Sequence, residues 1–190
     1  MNIFVLCTGR SGSVTFINAC SYITNYSSGH ETRSGLLGEE RLNYPDNHIE
    51  ADNRLSWVLG RLEEKYGNNA IYIHLTRNST EIAESFEKRF DSGIIAAYSK
   101  VILLGSDSKN EPIQFCMDYV NTINANIKSF LKDKTNKMEF RLENAKVDFK
   151  IFWKMINAEG SLDAAIAEWD VKYNKTDKVE AGFFKKFFKW

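Results

Sequence analysis

Neither sign of charge is in excess: 25 lysines and arginines stand against 25 aspartates and glutamates over 190 residues. A molecule-wide field of the kind that gathers nucleic acid is therefore missing, and no nucleic-acid partner is expected. Any anion site has to come from local placement. Cysteine is scarce too. Cys7, Cys20 and Cys116 are odd in number and far apart, which fits neither a disulfide framework nor a zinc site. Reduced thiols in a cytoplasmic protein are the simpler expectation. No run approaches the roughly 20 apolar residues of a membrane span. The opening MNIFVLCTGRSGS has no basic segment and no cleavage motif, and does not read as a signal peptide.

What is present is ordinary for a soluble globular chain, with 43% hydrophobic and 26% charged residues. The length suits one domain, spanning 1–190, with a sizeable core. Residues 2–7 are apolar and rich in strand formers, and Thr8-Gly9 ends them. A Gly/Ser-rich turn follows, then an apolar segment over 14–23 that reads as a helix. Residues 27–47 are polar and glycine-bearing and read as a long loop. Leu55, Val58, Leu59, Leu62 and Tyr66 share one helical face that Gly67 ends. Residues 70–76 (AIYIHLT) form a second strand, and Asn78 with Glu81 reads as a capping box opening a helix to about Phe90. After an irregular stretch over 91–110, Cys116, Tyr119, Val120, Ile123, Ile127, Phe130 and Leu131 mark a long amphipathic helix. A third strand is expected at 138–142, and helices at 144–156 and 161–169. Strands alternating with helices predict a three-layer α/β fold, a short parallel sheet between helices, with a helix-rich C-terminal half. The tail 182–190 (GFFKKFFKW) has two readings. It is an amphipathic element for an anionic membrane or partner, or its four phenylalanines pack back on the domain, as the marginal stability of so short a helix favours.

Two places carry chemistry. Thr8-Gly9-Arg10-Ser11-Gly12-Ser13 lies between a strand and a helix. Backbone N–H groups at such a helix start point outward, and the dipole there favours an anion. Glycines allow close approach, and Arg10 adds a permanent charge. The string G-x-x-x-x-G-K-[ST] of a nucleotide-triphosphate loop is missing, because Ser13 and Val14 follow Gly12. That speaks against a magnesium-dependent nucleotide kinase, which stays as an alternative beside a non-catalytic nucleotide-binding or scaffold module. The second place is Arg77, at the end of the second strand, with Ser85 eight residues on in the next helix. Strand ends of open α/β sheets are where ligands bind. An arginine there can hold phosphate oxygens in bidentate fashion, while a hydroxyl adds one bond.

These two motifs, in this order, resemble the PAPS-dependent sulfotransferases of bacterial type, whose fold is P-loop-NTPase-like. The first motif is similar to the family's 5′-phosphosulfate loop. The resemblance implies that Arg10 takes the position of the basic catalytic residue and that Ser11, Gly12, Ser13 and Val14 bind the 5′-phosphate. Many members have lysine where this chain has Arg10. Arginine, with a pKa above about 12, does not readily release a proton, so Arg10 would act by charge alone. Arg77 and Ser85 are similar to the pair that binds the 3′-phosphate. Ser28-Gly29-His30-Glu31 resembles the family's His-Glu element without its usual proline, and makes Glu31 the first choice of general base and His30 the second. Residues 49–53 (IEADN) resemble an element that orients the loop or the acceptor. Lys88 and Arg89 lie close enough to Ser85 in sequence to assist with the nucleotide. The resemblance implies PAPS as co-substrate, 3′-phosphoadenosine 5′-phosphate as product, no metal, and an acceptor hydroxyl, a saccharide on the bacterial look of the motifs. Its third phosphate contact has no clear equivalent, with 175–186 as the substitute. The acceptor pocket is expected from 27–47 and 91–110.

Overall fold

The N-terminal strand is the middle of the sheet. In the computed structural model, which describes residues 1–105 and 110–171, β1 (Asn2–Leu6) is buried along its whole length. Its neighbours are β3 (His48–Ala51) and β4 (Ala70–Thr76), with β2 (Ser27–His30) beyond β3 and β5 (Lys137–Arg141) beyond β4. Every pairing is parallel. A strand covered on both faces reads as a continuous apolar run, which is why NIFVL and AIYIHLT were legible as strands. All five strands end at one edge of the sheet, and the candidate site residues gather there.

Alternation along the strands divides the core in two. Ile3, Val5, Ile73 and Phe140 face α1 (Ser13–Cys20), α6 (Ala145–Met155) and α7 (Leu162–Ala167), with Phe16, Phe149 and Phe152 between the layers. Phe4, Leu6 and Tyr72 face α2 (Leu59–Tyr66), α3 (Ser79–Glu87) and α5 (Pro112–Leu131) through Leu62, Phe86, Tyr119 and Ile123. At about 1.5–3 kcal/mol for each large side chain removed from water, these two clusters hold the three layers together. The expected parallel sheet, the flanking helices and the helix-rich C-terminal half are all present.

Several local expectations need correction. Residues 27–47 are not a plain loop: they contain β2 and a 3₁₀ turn at Gly38–Leu42. β2 is a polar edge strand, SSGH, with no apolar period to announce it. β3 was hidden because two of its four buried residues are His48 and Glu50, which bond to each other at 2.9 Å. The helix expected from Leu55 to Tyr66 is two elements, a 3₁₀ turn (Asn53–Trp57) and α2, separated at Val58 (φ −128°, ψ 30°). The Asp52 carboxylate accepts the Arg54 amide and tightens that first turn. Residues 91–110 are not wholly irregular, since α4 (Gly93–Ala97) runs into a π-helical turn at Tyr98–Ile102. The capping box at Asn78 is half formed. The Asn78 side chain accepts the Thr80 and Glu81 amides, but the Asn78 amide donates to Glu143, and the Glu81 side chain is taken by Arg77. The expectations for 175–186 and 182–190 lie outside the described residues, as do 106–109. No helix among the described residues is long and apolar enough to cross a membrane.

Candidate active site

The glycine loop leaves β1 and enters α1 at the C-terminal edge of the sheet. Gly9 (φ 84°), Arg10 (φ 58°) and Gly12 (φ 94°) are all left-handed. Such residues turn successive N–H groups toward one concavity, the geometry of an anion nest. Two of the three positions are glycine for a visible reason. A Cβ on Gly9 would lie 2.9 Å from the Asn53 amide nitrogen, and one on Gly12 would lie 2.7 Å from Leu142 Cδ1. Gly12 caps α1 with no side-chain hydrogen bond, and the first turn of the helix has no acidic residue. The first intrahelical bond runs from the Phe16 amide to the Gly12 carbonyl, so the amides of Ser13, Val14 and Thr15 have no acceptor among the described residues.

The loop is pinned from the opposite core. The Thr8 carbonyl, at the loop entrance, accepts Tyr119 Oη of α5 at 2.9 Å and Asn53 Nδ2 at 3.5 Å. Ser11 is buried beside the Cys7 thiol, and its hydroxyl has no hydrogen bond of good geometry. Burial pushes the Cys7 thiol up to about 11, a shift that the nearby Ser11 hydroxyl reduces. It is therefore an inert support of the loop.

Arg10 does not point into bulk water. Its Nε donates to Ser85 Oγ at 2.9 Å, across 75 residues of sequence. Arg77 Nη1 donates to the Arg10 carbonyl at 3.4 Å. The two motifs thus meet at one place, over the ends of β1 and β4. Arg77 is oriented by Glu81, which accepts its Nε at 2.8 Å and its Nη2 at 2.5 Å. Arg10 has no carboxylate partner among the described residues. Partial burial lowers its pKa from the ordinary arginine value, and the charges of Arg89 and then Arg77 lower it further. Guanidiniums gathered around the Ser85 hydroxyl, with Arg10 lacking a carboxylate partner, are groups whose chemistry can hold a multiply charged oxyanion.

The His-Glu pair closes the other side. β2 ends at His30, whose Nε2 lies 2.9 Å from Ser13 Oγ in the first turn of α1. Glu31 follows in a left-handed conformation (φ 54°), and its amide donates to the Ala51 carbonyl at 3.0 Å. Its carboxylate is paired with Arg54 at 2.5 Å, at the exposed surface. Beneath this turn Glu50, wholly buried, accepts the Thr32 amide at 2.7 Å and the Thr32 hydroxyl at 2.8 Å. Of the segment 49–53, Asn53 touches the first loop and Glu50 fixes the turn that carries Glu31. Arg10, Ser11, Gly12, Ser13, Val14, His30, Arg77 and Ser85 are therefore brought together, with Glu31 on the rim. Arg54 and Tyr119 escaped the sequence. Arg54 could have been suspected next to residues 49–53, whereas Tyr119 carries only the signal of a core position. Among the described residues no three His, Cys, Asp or Glu side chains converge as metal ligands would.

No protein-family model matches the chain, and no curated protein matches it in sequence. Among solved structures it is similar to the sulfotransferase domain from the curacin biosynthetic pathway, with a TM-score of 0.59 over 93% of this chain and 80% of that one. The two share 15% sequence identity, so the likeness is one of architecture. What the two have in common is the α/β architecture, a parallel sheet flanked by helices.

Proposed function

We propose that this protein moves a sulfuryl group from 3′-phosphoadenosine 5′-phosphosulfate to an acceptor hydroxyl, with a saccharide as the first acceptor class to try. One observation carries the reading: Arg10, Ser85 and Arg77, which belong to two separate phosphate motifs, are hydrogen-bonded to one another. Three further features suit a nucleotide phosphorylated at both ends. The amides at the start of α1 lack acceptors, the Ser11 hydroxyl is buried without a well-formed bond, and Arg10 has no carboxylate.

When bound, the donor supplies the sulfuryl group and a bisphosphate leaving group. In the displacement an acceptor O–S bond forms as the S–O bond to the 5′-phosphate breaks, releasing 3′-phosphoadenosine 5′-phosphate. Ser11, Gly12, Ser13 and Val14 would hold the 5′-phosphate through backbone amides and hydroxyls. Arg77 and Ser85 would hold the 3′-phosphate. Arg10 would offset negative charge developing on the bridging oxygen, as a fixed cation and not as a proton donor. Glu31 would take the acceptor proton, with His30 as the alternative base. Positioning and charge account for such a transfer without a metal-dependent step, by the logic that governs phosphoryl transfer.

Calorimetric titration with 3′-phosphoadenosine 5′-phosphate, ADP and Mg–ATP tests the donor. Tight binding of the 3′-phosphorylated nucleotide alone is expected. Arg77→Ala should weaken it by about ten-fold or more, the effect of losing a charge-assisted bidentate contact. Equal or better binding of Mg–ATP would sink the sulfotransferase reading, and binding of neither would point to the non-catalytic module.

A further inference from the structure

The sheet has a second concave place, away from the loop. A cavity of about 320 Å³ lies between α5 and the β4–β5 edge, lined by His74, Lys128, Leu131, Lys132, Lys137, Met138 and Glu139. α5 carries Tyr119 beside the glycine loop, and Lys128 lies nine residues further along, about 13 Å down the helix axis. β5 is the sheet's last strand, and α5 leaves its Lys137 and Glu139 side chains exposed. The volume is at the small end of the range of about 300–1,000 Å³ for ligand pockets. It suits a sugar-sized molecule better than a nucleotide.

We propose that this cavity binds a phosphate monoester of a small polar molecule, of about the size of a hexose phosphate. Lys128 and Lys132 lie one helical turn apart, on the same face, and have no carboxylate partner among the described residues. They repel each other, and an anion between them relieves that repulsion. Lys137 is held in place: its Nζ donates to the Leu131 carbonyl at 2.6 Å and the Lys132 carbonyl at 2.8 Å. One ammonium is thereby fixed at the mouth of the cavity, where it also offsets the negative end of the α5 dipole. The only acidic lining residue is Glu139, which leans toward Arg141 at 3.9 Å. His74, 1% exposed, contributes a ring held by Asn124 at 3.1 Å. Burial holds its pKa below the usual histidine value, so it is neutral at pH 7. The lining then has two positive charges in excess. A phosphate monoester carries nearly two negative charges at that pH, where a sulfate ester or a carboxylate carries one. Leu131 and Met138 offer apolar surface to the carbon skeleton.

The test is an amide-resolved NMR titration of the full chain with glucose 6-phosphate, with glucose, glucose 6-sulfate and inorganic phosphate run separately. A Lys128→Ala/Lys132→Ala double variant is run in parallel, and both lysines are exposed, so the fold should tolerate the change. Saturable shifts over residues 128–139 and at His74 are expected with glucose 6-phosphate. The double variant should bind about ten-fold more weakly or worse, and so should glucose and glucose 6-sulfate with the wild type. Shifts confined to residues 10–14, 77 and 85 would overturn the proposal, as would equal affinity in the double variant. Inorganic phosphate binding as well as the ester would also overturn it, because the carbon skeleton would then contribute nothing.

Discussion

Arg10 and Glu31 are both left-handed without being glycine. Such a conformation costs roughly 1–2 kcal/mol at an ordinary residue and persists where the surroundings impose it. Both were singled out from sequence by the chemistry expected of their neighbourhoods, whereas the conformation alone marks no site, since Asn47, Leu104 and Asn157 share it. Glu31→Gln should leave binding of 3′-phosphoadenosine 5′-phosphate within about two-fold and lower turnover by about 10²–10⁴, the usual contribution of a general base. Full turnover in Glu31→Gln together with its loss in His30→Asn would transfer the role to His30. Residue-scale reasoning reached less far inside the core. Arg41 pairs with Asp52 at 2.6 Å, both buried, and Arg41 also donates to Tyr44 at 3.2 Å. Burial keeps the Asp52 carboxyl above its ordinary pKa despite that partner. Nothing around Arg41 in the sequence distinguishes it from a solvated loop arginine. Arg41→Ala would leave the Asp52 charge without its partner and should cost about 3–5 kcal/mol, read from urea unfolding. A loss below 1 kcal/mol would mean that water replaces the guanidinium.

At the scale of elements, a strand was legible where its whole length is apolar, as in β1 and β4, and illegible where a polar network supports it. β3 is the instructive case. His48 lies between Ser27 on β2 at 2.8 Å and Glu50 of its own strand at 2.9 Å, so its burial rests on polar bonds, one of them to a residue 21 positions away in sequence. Hydrophobic period cannot register such a strand. The loop motif was legible because glycines at 9 and 12 answer to a local backbone need. Two glycines separate local from structural demands. Gly12→Ala places a Cβ at φ 94°, against the end of the Leu142 side chain, which can move. It should lower stability by about 1–2 kcal/mol and also weaken nucleotide binding. Gly160→Ala, at φ 126°, would bring a Cβ to 2.1 Å from the Tyr22 carbonyl oxygen, where Ile23 and Gly160 bridge. Backbone meets backbone there, so the loss of stability should be larger, yet nucleotide binding by the folded fraction should be unchanged. Denaturation and calorimetry on both variants check the contrast, and a more damaging Gly12→Ala would reverse it.

At the scale of the molecule, the sheet is what joins two motifs that sequence could only set side by side. β1 and β4 are neighbours in register, Leu6 against His74, so the turns that follow them must open next to each other. The Arg10–Ser85 bond is a consequence of that pairing. The same sheet separates two cores, and whether they melt together tests the reading of one cooperative domain. The cysteines report on this directly. Cys7 and Cys20 belong to the core under α1, and Cys116 to the core under α5. All three are buried, and burial raises the thiols of Cys7 and Cys116 to about 11 and that of Cys20 well above its usual value. A thiol both buried and protonated does not react with alkylating reagents. Native protein at pH 8 should therefore label negligibly at all three positions. Across a urea series, the labelling of Cys20 and Cys116, resolved by peptide mass spectrometry, should rise with one midpoint. The central strand contributes Ile3 and Val5 to one core and Phe4 and Leu6 to the other, so neither core can open without exposing the back of its partner's strand. Distinct midpoints for Cys20 and Cys116 would mean that one helical layer leaves while the sheet persists, and the chain would then behave as two cooperative units.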